Sequence, residues 1–202
     1  MHKVFITCTI ATEDQIEKLE SLLQTTASND DHICSQLIDS QNHLGYTPLM
    51  CAIDNGYFEL AKFLLDKQVN VRLRANTQMK CVTALMLAAK HANSTIATTI
   101  LLSDKNVDAQ DEDGRTALMY ACKSRCMSIV ATLVHKGANV NLQDNKGRTA
   151  LMYAVQGATV STPMVELLLI RGHASMEIKD YRGCTARDYC NDEQLTKLLH
   201  KV

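Results

Sequence analysis

The sequence predicts an all-α solenoid of stacked helix-turn-helix units with β-turn fingers between them, and three observations carry that expectation. Residues 111–121 (DEDGRTALMYA) and 144–154 (DNKGRTALMYA) agree at nine of eleven positions, a self-similarity of period 33. Such a period marks a repeat array, in which each unit buries its apolar faces only against its neighbours. The 202-residue chain is 46% apolar yet has no Trp, 3 Phe and 6 Tyr, so its core must come from Leu, Ile, Val, Met and Ala, a set that suits helices. With 2 Pro and 8 Gly, it also lacks the punctuation of a turn-dense β fold.

Weaker copies flank the strong pair. Thr47, Thr83, Thr116, Thr149 and Thr185 follow one another at intervals of 36, 33, 33 and 36 residues. Each threonine is placed to open an inner helix by accepting a hydrogen bond from an orphan N–H, and Pro48 sits just inside the first, where its missing N–H does no harm. In the third copy Leu118, Ala121 and Cys122 form the inner helix's buried stripe, with side chains small enough for close helix approach. The outer helix is expected over 127–135, its apolar face made of Ile129, Val130, Leu133 and Val134, and Gly137 supplies the permissive backbone that ends it. The copies span about 42–77, 78–110, 111–143, 144–179 and 180–202, the last shortened in the manner of a cap. Residues 1–41 lack the finger, but Thr12-Glu13-Asp14-Gln15 is a capping box before Ile16, Leu19 and Leu23 at helical spacing. With a second helix over 30–39 turning Ile33, Leu37 and Ile38 inward, this segment reads as an N-terminal helical cap or a degenerate repeat.

Over residues 42–200 these units resemble the ankyrin repeat, a β-turn finger followed by two antiparallel helices. The chain departs from that pattern in places. Met50, Met86, Met119 and Met152 stand where the family has histidine, and a methionine at one recurring structural position is a packing residue rather than a copper ligand. The adjacent column is Cys51, Leu87, Tyr120, Tyr153 and Tyr189, whose tyrosines are expected to pack by their rings with hydroxyls at the groove margin. Cys81 replaces a fingertip glycine, Gln68-Val69 and Asp104-Lys105 replace the Gly-Ala turn, and copy four carries a two-residue insertion and an extra His173.

The resemblance implies a non-catalytic protein-protein interaction module that meets its partner with fingertips and the concave ends of inner helices. Carried over by position, that surface holds Tyr46, Asp54 and Asn55 in copy one, then Lys80, Lys90 and His91 in copy two. Copy three adds Glu112, Asp113, Arg115 and Lys123, and copy four adds Lys146 and Arg148. Tyr46, Arg115 and Arg148 are the expected anchors, because aromatic and arginine side chains dominate hot spots. For Arg115 and Arg148, pairing with fingertip acids such as Asp113 is the competing role. Asn141, eight residues after Leu133, lies in a turn resembling those hydroxylated in some ankyrin proteins.

The net charge of −1 excludes binding that rests on phosphate neutralisation, and no nucleic-acid partner is expected. Charge is nonetheless segregated: residues 1–40 carry −5, and residues 67–103 hold five cations and no acid. Two readings stand: the charged loops alternate in sign only because they are solvated, or a long basic finger with Arg72, Arg74, Lys80 and Lys90 attracts an acidic segment of a protein partner. No phosphate loop, metal-ligand spacing or nucleophile triad occurs, and a pair such as Cys122 with His91 lacks an orienting group, so neither enzyme activity nor a cofactor or metal is expected. The 8 cysteines read as small buried hydrophobes in a reducing cytoplasm. Val4 to Ala11 is too polar for a secretory leader, and no apolar run reaches membrane-spanning length, so no membrane is expected. A monomer is expected, with a stand-alone inhibitor, or an effector delivered into a host cytoplasm to act on a host protein, as the alternative use of the same architecture.

Overall fold

A computed structural model describes residues 38–75, 81–156 and 161–190. The helices expected in the N-terminal cap, apart from Ile38, which is buried as expected, and Asp39, lie outside these residues, as do the fingertip Lys80 and the end of copy five. Four inner–outer helix pairs follow in order: α1 (Pro48–Asp54) and α2 (Phe58–Asp66), α3 (Ala84–Lys90) and α4 (Ser94–Ser103), α5 (Ala117–Lys123) and α6 (Met127–His135), α7 (Ala150–Val155) and α8 (Thr162–Glu166). A π-helical turn, Leu167–Arg171, continues α8, and a 3₁₀ turn, Arg187–Tyr189, follows in copy five. Inner helices form one layer, α1 on α3, α3 on α5 and α5 on α7, while α2, α4 and α6 stack behind them. No strand runs among the described residues; the fingers contribute isolated antiparallel bridges at Arg74 with Thr83 and Gln110 with Thr116.

The threonines do what their spacing predicts. Thr47, Thr83, Thr116 and Thr149 each accept from the backbone N–H three residues on, at 3.2, 3.3, 3.4 and 3.5 Å. Those N–H groups belong to Met50, Met86, Met119 and Met152, whose side chains are fully buried, consistent with packing. Thr185 behaves differently. Both its N–H and its hydroxyl donate to Asp188, at 2.7 and 2.8 Å, and a 3₁₀ turn replaces the helix.

Between inner and outer helices the backbone turns through the left-handed region, at Gly56 (φ 81°), Ala92 (φ 55°) and Arg125 (φ 58°). A side chain with a Cβ costs free energy there. Ala92 is exposed, so Ala92→Gly is expected to stabilise the protein by about 0.5–1 kcal/mol, relief of strain outweighing the extra freedom of the unfolded chain. An unchanged or lower urea midpoint would count against it.

Copy four accommodates its extra residue inside the helix rather than in the turn. In copy three, the N–H of Ala138 donates to Leu133 O five residues back; in copy four, the N–H of Ala174 reaches Leu168 O six back. The π turn widens the helix by that residue, and His173 (φ 55°) takes the left-handed position held in copy three by Gly137 (φ 83°). The insertion is thus registered between Leu167 and Gly172, a correction to the sequence-based placement at His173.

The cysteines depart in two respects. Cys122 is buried, and burial pushes its thiol up to about 12, as suits an inert packing residue. The other reduced thiols among the described residues, Cys81, Cys126, Cys184 and Cys190, are only partly buried, contrary to the expectation of buried hydrophobes, and Cys51 is disulfide-bonded, contrary to the expectation of reduced thiols throughout.

Candidate functional site

Three hydrogen-bonded ladders hold the copies in register and decide which polar side chains remain for a ligand. The first runs along the feet of the fingers. Gln41 Nε2 donates to Gly45 O and to Arg74 O at the foot of the next finger, both at 2.7 Å. Gln110 does the same to Gly114 O (2.7 Å) and Gln143 O (3.1 Å), and Gln143 to Gly147 O (2.6 Å) and Lys179 O (3.1 Å). At the foot of the copy-two finger Arg74 fills the post, its Nε donating to Cys81 O at 3.4 Å and its Nη2 to Gln110 O. A guanidinium reaches farther than a carboxamide, which suits the longer finger of that copy.

The second ladder lies under the fingers. Tyr120, Tyr153 and Tyr189 donate their hydroxyls to Asp111, Asp144 and Asp180, at 2.8, 2.7 and 2.6 Å. Each carboxylate also accepts finger N–H groups: Arg115 on Asp111, Lys146 and Arg148 on Asp144, Arg182 and Cys184 on Asp180. Asn42 replaces the aspartate in copy one, where it accepts from the N–H groups of Leu44 and Tyr46 and its Nδ2 lies 3.8 Å from Cys51 Sγ. Sequence reasoning missed these buried acids, although each precedes its tyrosine by nine residues.

The third ladder joins the turns after the outer helices. Asp39 accepts from Asn70 N, Asp108 from Asn139 N and Asn141 from Ser175 N, at 2.8, 2.9 and 2.8 Å. Arg72 cannot accept, and the link there is an ion pair with Asp104 at 3.0 Å. Asn141 also donates through Nδ2 to His173 O at 3.2 Å, so both ends of its carboxamide are engaged in joining copies three and four.

These ladders redistribute the expected partner surface. Arg72 and Arg74 are engaged in the stack itself. Lys90 and His91 both converge on Asp54 Oδ1 at 2.9 Å, tying copy two to copy one. Tyr46 is 9% exposed and its hydroxyl lies 3.4 Å from Asp54 Oδ2. Burial, and then the Asp54 carboxylate, pushes the Tyr46 hydroxyl up to about 12, so it stays a neutral donor. Asn55 donates to Cys51 O at 2.8 Å and closes α1. Glu112 lies 3.4 Å from Cys81 Sγ, while Asp113 pairs with Arg115 at 3.2 Å. Burial opposes the charge of Arg115, but the Tyr120 and Tyr153 oxygens more than offset it and hold the guanidinium protonated. Arg148 pairs with Asp144 at 3.2 Å and stacks 4.7 Å from the centre of the Tyr153 ring. Lys123 and Lys146 are exposed, with no side-chain partner among the described residues.

Two open hollows lie between the fingers and the inner helices. One, of about 460 Å³, has Tyr46, Leu87 and Tyr120 in its lining with Lys90, Arg115 and Lys123 around them. No acidic side chain lines it among the described residues. The other, of about 430 Å³, lies against copies four and five and includes Lys146, Arg148, Arg182, Tyr181 and Tyr189. Tyr181 and Arg182 were not singled out from sequence. No group of three or more His, Cys, Asp or Glu side chains is placed to hold a metal ion among the described residues. Nor, among the described residues, is any helix long and apolar enough to cross a membrane.

A family model for ankyrin repeats in three copies matches residues 3–75 and 72–144, and a single ankyrin repeat model matches 146–181. The first match begins within the segment expected to be a cap or degenerate repeat. No curated protein matches the chain. Among solved structures, the crystal structure of EF0377, an ankyrin repeat protein, is 25% identical, with 94% of this chain and 93% of that chain covered at a TM-score of 0.76. In all, 543 solved chains match, too many for the fold alone to select a partner.

Proposed function

We propose, from the premise that the chain belongs to the ankyrin repeat family, that it is a non-catalytic module that docks a protein partner along its concave side. Ankyrin repeats are generally protein-protein interaction modules, and the finer reading concerns where this one holds its partner and what it selects. The observation that carries it is the hollow across copies one to three. Lys90, Arg115 and Lys123 surround it without an acidic side chain in the lining; Lys90 and Arg115 are already paired with Asp54 and Asp113, so Lys123 is the cation left for a ligand, and Tyr46, Leu87 and Tyr120 supply apolar surface. An acidic segment of a partner, with an apolar side chain set among its carboxylates, fits that pattern. Charge would orient the encounter and the rings would supply contact area. The acid-seeking surface then lies in the groove rather than on the long finger, whose Arg72 and Arg74 are engaged internally. Occlusion of a partner's own surface by such docking would suffice for the alternative role as an inhibitor or effector.

Lys123→Glu tests this reading cleanly, because that side chain has no internal role to lose. Capture of the cognate partner is expected to fall about tenfold or more. Lys136→Glu, the same charge change at the end of outer helix α6, should leave capture intact. Equal capture by both variants and the parent protein would overturn the groove reading. Arg74→Glu is a poor probe, since it would break the finger ladder and weaken binding through the fold.

A further inference from the structure

Along the fingers the charge reverses. Copy three presents Glu112 and Asp113, copy four Asn145 and Lys146, and copy five Tyr181 and Arg182. The hollow at the positive end is built differently from the first. Arg148 is held by Asp144 at 3.2 Å and lies over Tyr153, and Arg182 is held by Asp180 at 3.5 Å, donates to the Tyr189 hydroxyl, and lies 5.5 Å from the centre of that ring. The two carboxylate side chains are 1% and 2% exposed and anchor the guanidiniums from behind, although Asp180 is itself among the residues that line the hollow. Lys146 stands free at the rim. Tyr181 is 78% exposed although its N–H is fixed to Lys146 O at 3.1 Å, so its backbone is held while its ring faces solvent.

We infer that this hollow is a second, separately built carboxylate subsite, taking an acidic side chain of a bound peptide segment with a neighbouring apolar or aromatic side chain stacked on Tyr181. Two guanidiniums already fixed by buried partners lose little side-chain freedom on binding, and their planar forks match a carboxylate. The exposed ring supplies the contact that a simple anion site lacks. The inference rests on the reading of the chain as a protein-binding module, and it adds a second site to it.

The test is titration of the full-length, isotope-labelled chain with a peptide of glutamates around one phenylalanine, and with its glutamine counterpart. Saturable shifts are expected at residues 145–148 and 181–182 with the acidic peptide, and affinity about tenfold weaker for the neutral one. Lys146→Glu and Tyr181→Ala should each weaken the acidic peptide about fivefold or more while preserving the spectrum of the fold. Lys123→Glu should leave shifts at 181–182 in place. Shifts confined to the first hollow, or insensitive to both Lys146→Glu and Tyr181→Ala, would overturn the second subsite and leave the groove reading standing. No shift in either hollow, with cognate-partner capture still dependent on Lys123, would overturn it too, because that partner would be bound without the carboxylate chemistry.

Discussion

Gly147→Ala is expected to destabilise the protein by about 2–5 kcal/mol, several times the effect of the same change at Gly183. Both glycines hold the left-handed conformation, at φ 76° and φ 80°, so both variants bear the backbone strain of a Cβ, roughly 1 kcal/mol. What separates them is the neighbouring copy. A Cβ on Gly147 would stand 2.9 Å from Asp180 Cα, Tyr181 N and Tyr181 Cδ1, whereas one on Gly183 meets nothing within 4 Å. Backbone at 2.9 Å cannot rotate aside as a side chain can, so the fingers of copies four and five would have to part, straining the bond from Tyr181 N–H to Lys146 O. Urea unfolding of the two variants side by side is the measurement. Equal midpoints would show that these fingers are not in close contact. Copy two offers a natural comparison, for Cys81 carries a side chain at the same finger position with φ 55° and lies against Glu112.

Local chemistry in this chain was readable before the fold was known, and pairing between copies was not. Threonine caps, the Met column and the boundaries of α6 depend on residues within one unit, and the period made each visible several times. The feet of the fingers are different. Gln41, Gln110 and Gln143 are chemically alike, but Arg74 fills the same post with another side chain, so composition pointed to a free cation where the structure has a strut. Lys90 was counted toward a basic surface because its counterion, Asp54, lies 36 residues earlier. Tyr46 is expected from the sequence as an anchor, yet it is 9% exposed and meets a ligand only through the lining of the hollow. The aspartate–tyrosine pairs are a different case. Their nine-residue spacing stands in the sequence three times, but spacing alone does not say that the two side chains meet beneath the finger.

Asp144→Ala is expected to cost about 3–5 kcal/mol, because it removes the acceptor of a buried polar cluster and leaves its donors behind. The carboxylate accepts from the N–H groups of Lys146 and Arg148 at 2.8 Å, from the Tyr153 hydroxyl at 2.7 Å and from the Arg148 guanidinium at 3.2 Å. Tyr153→Phe removes one of these donors, and with it the oxygen that faces the Arg115 guanidinium, but leaves Asp144 otherwise satisfied, so a smaller loss of about 1–2 kcal/mol is expected there. The difference between the variants separates a shared hub from four independent bonds. Acid titration gives a second handle with a definite sign. Burial alone would raise the Asp144 pKa, but the Tyr153 hydroxyl and the N–H groups of Arg148 and Lys146 outweigh it and hold the carboxyl below its ordinary value. Asp180 is held to about 2, chiefly by Tyr189, and Asp54 and Asp188 are lowered as well. A depressed folded pKa adds stability above the unfolded value near 4 and loses it as pH falls toward the folded one, so stability should decline from about pH 4 to about pH 2. Asp144→Asn cannot titrate, and its stability curve should therefore be flatter over that interval even though it starts lower. A parent protein equally stable at pH 5 and pH 2, or a variant with the same acid slope, would mean that the carboxylates under the fingers do not hold the copies together.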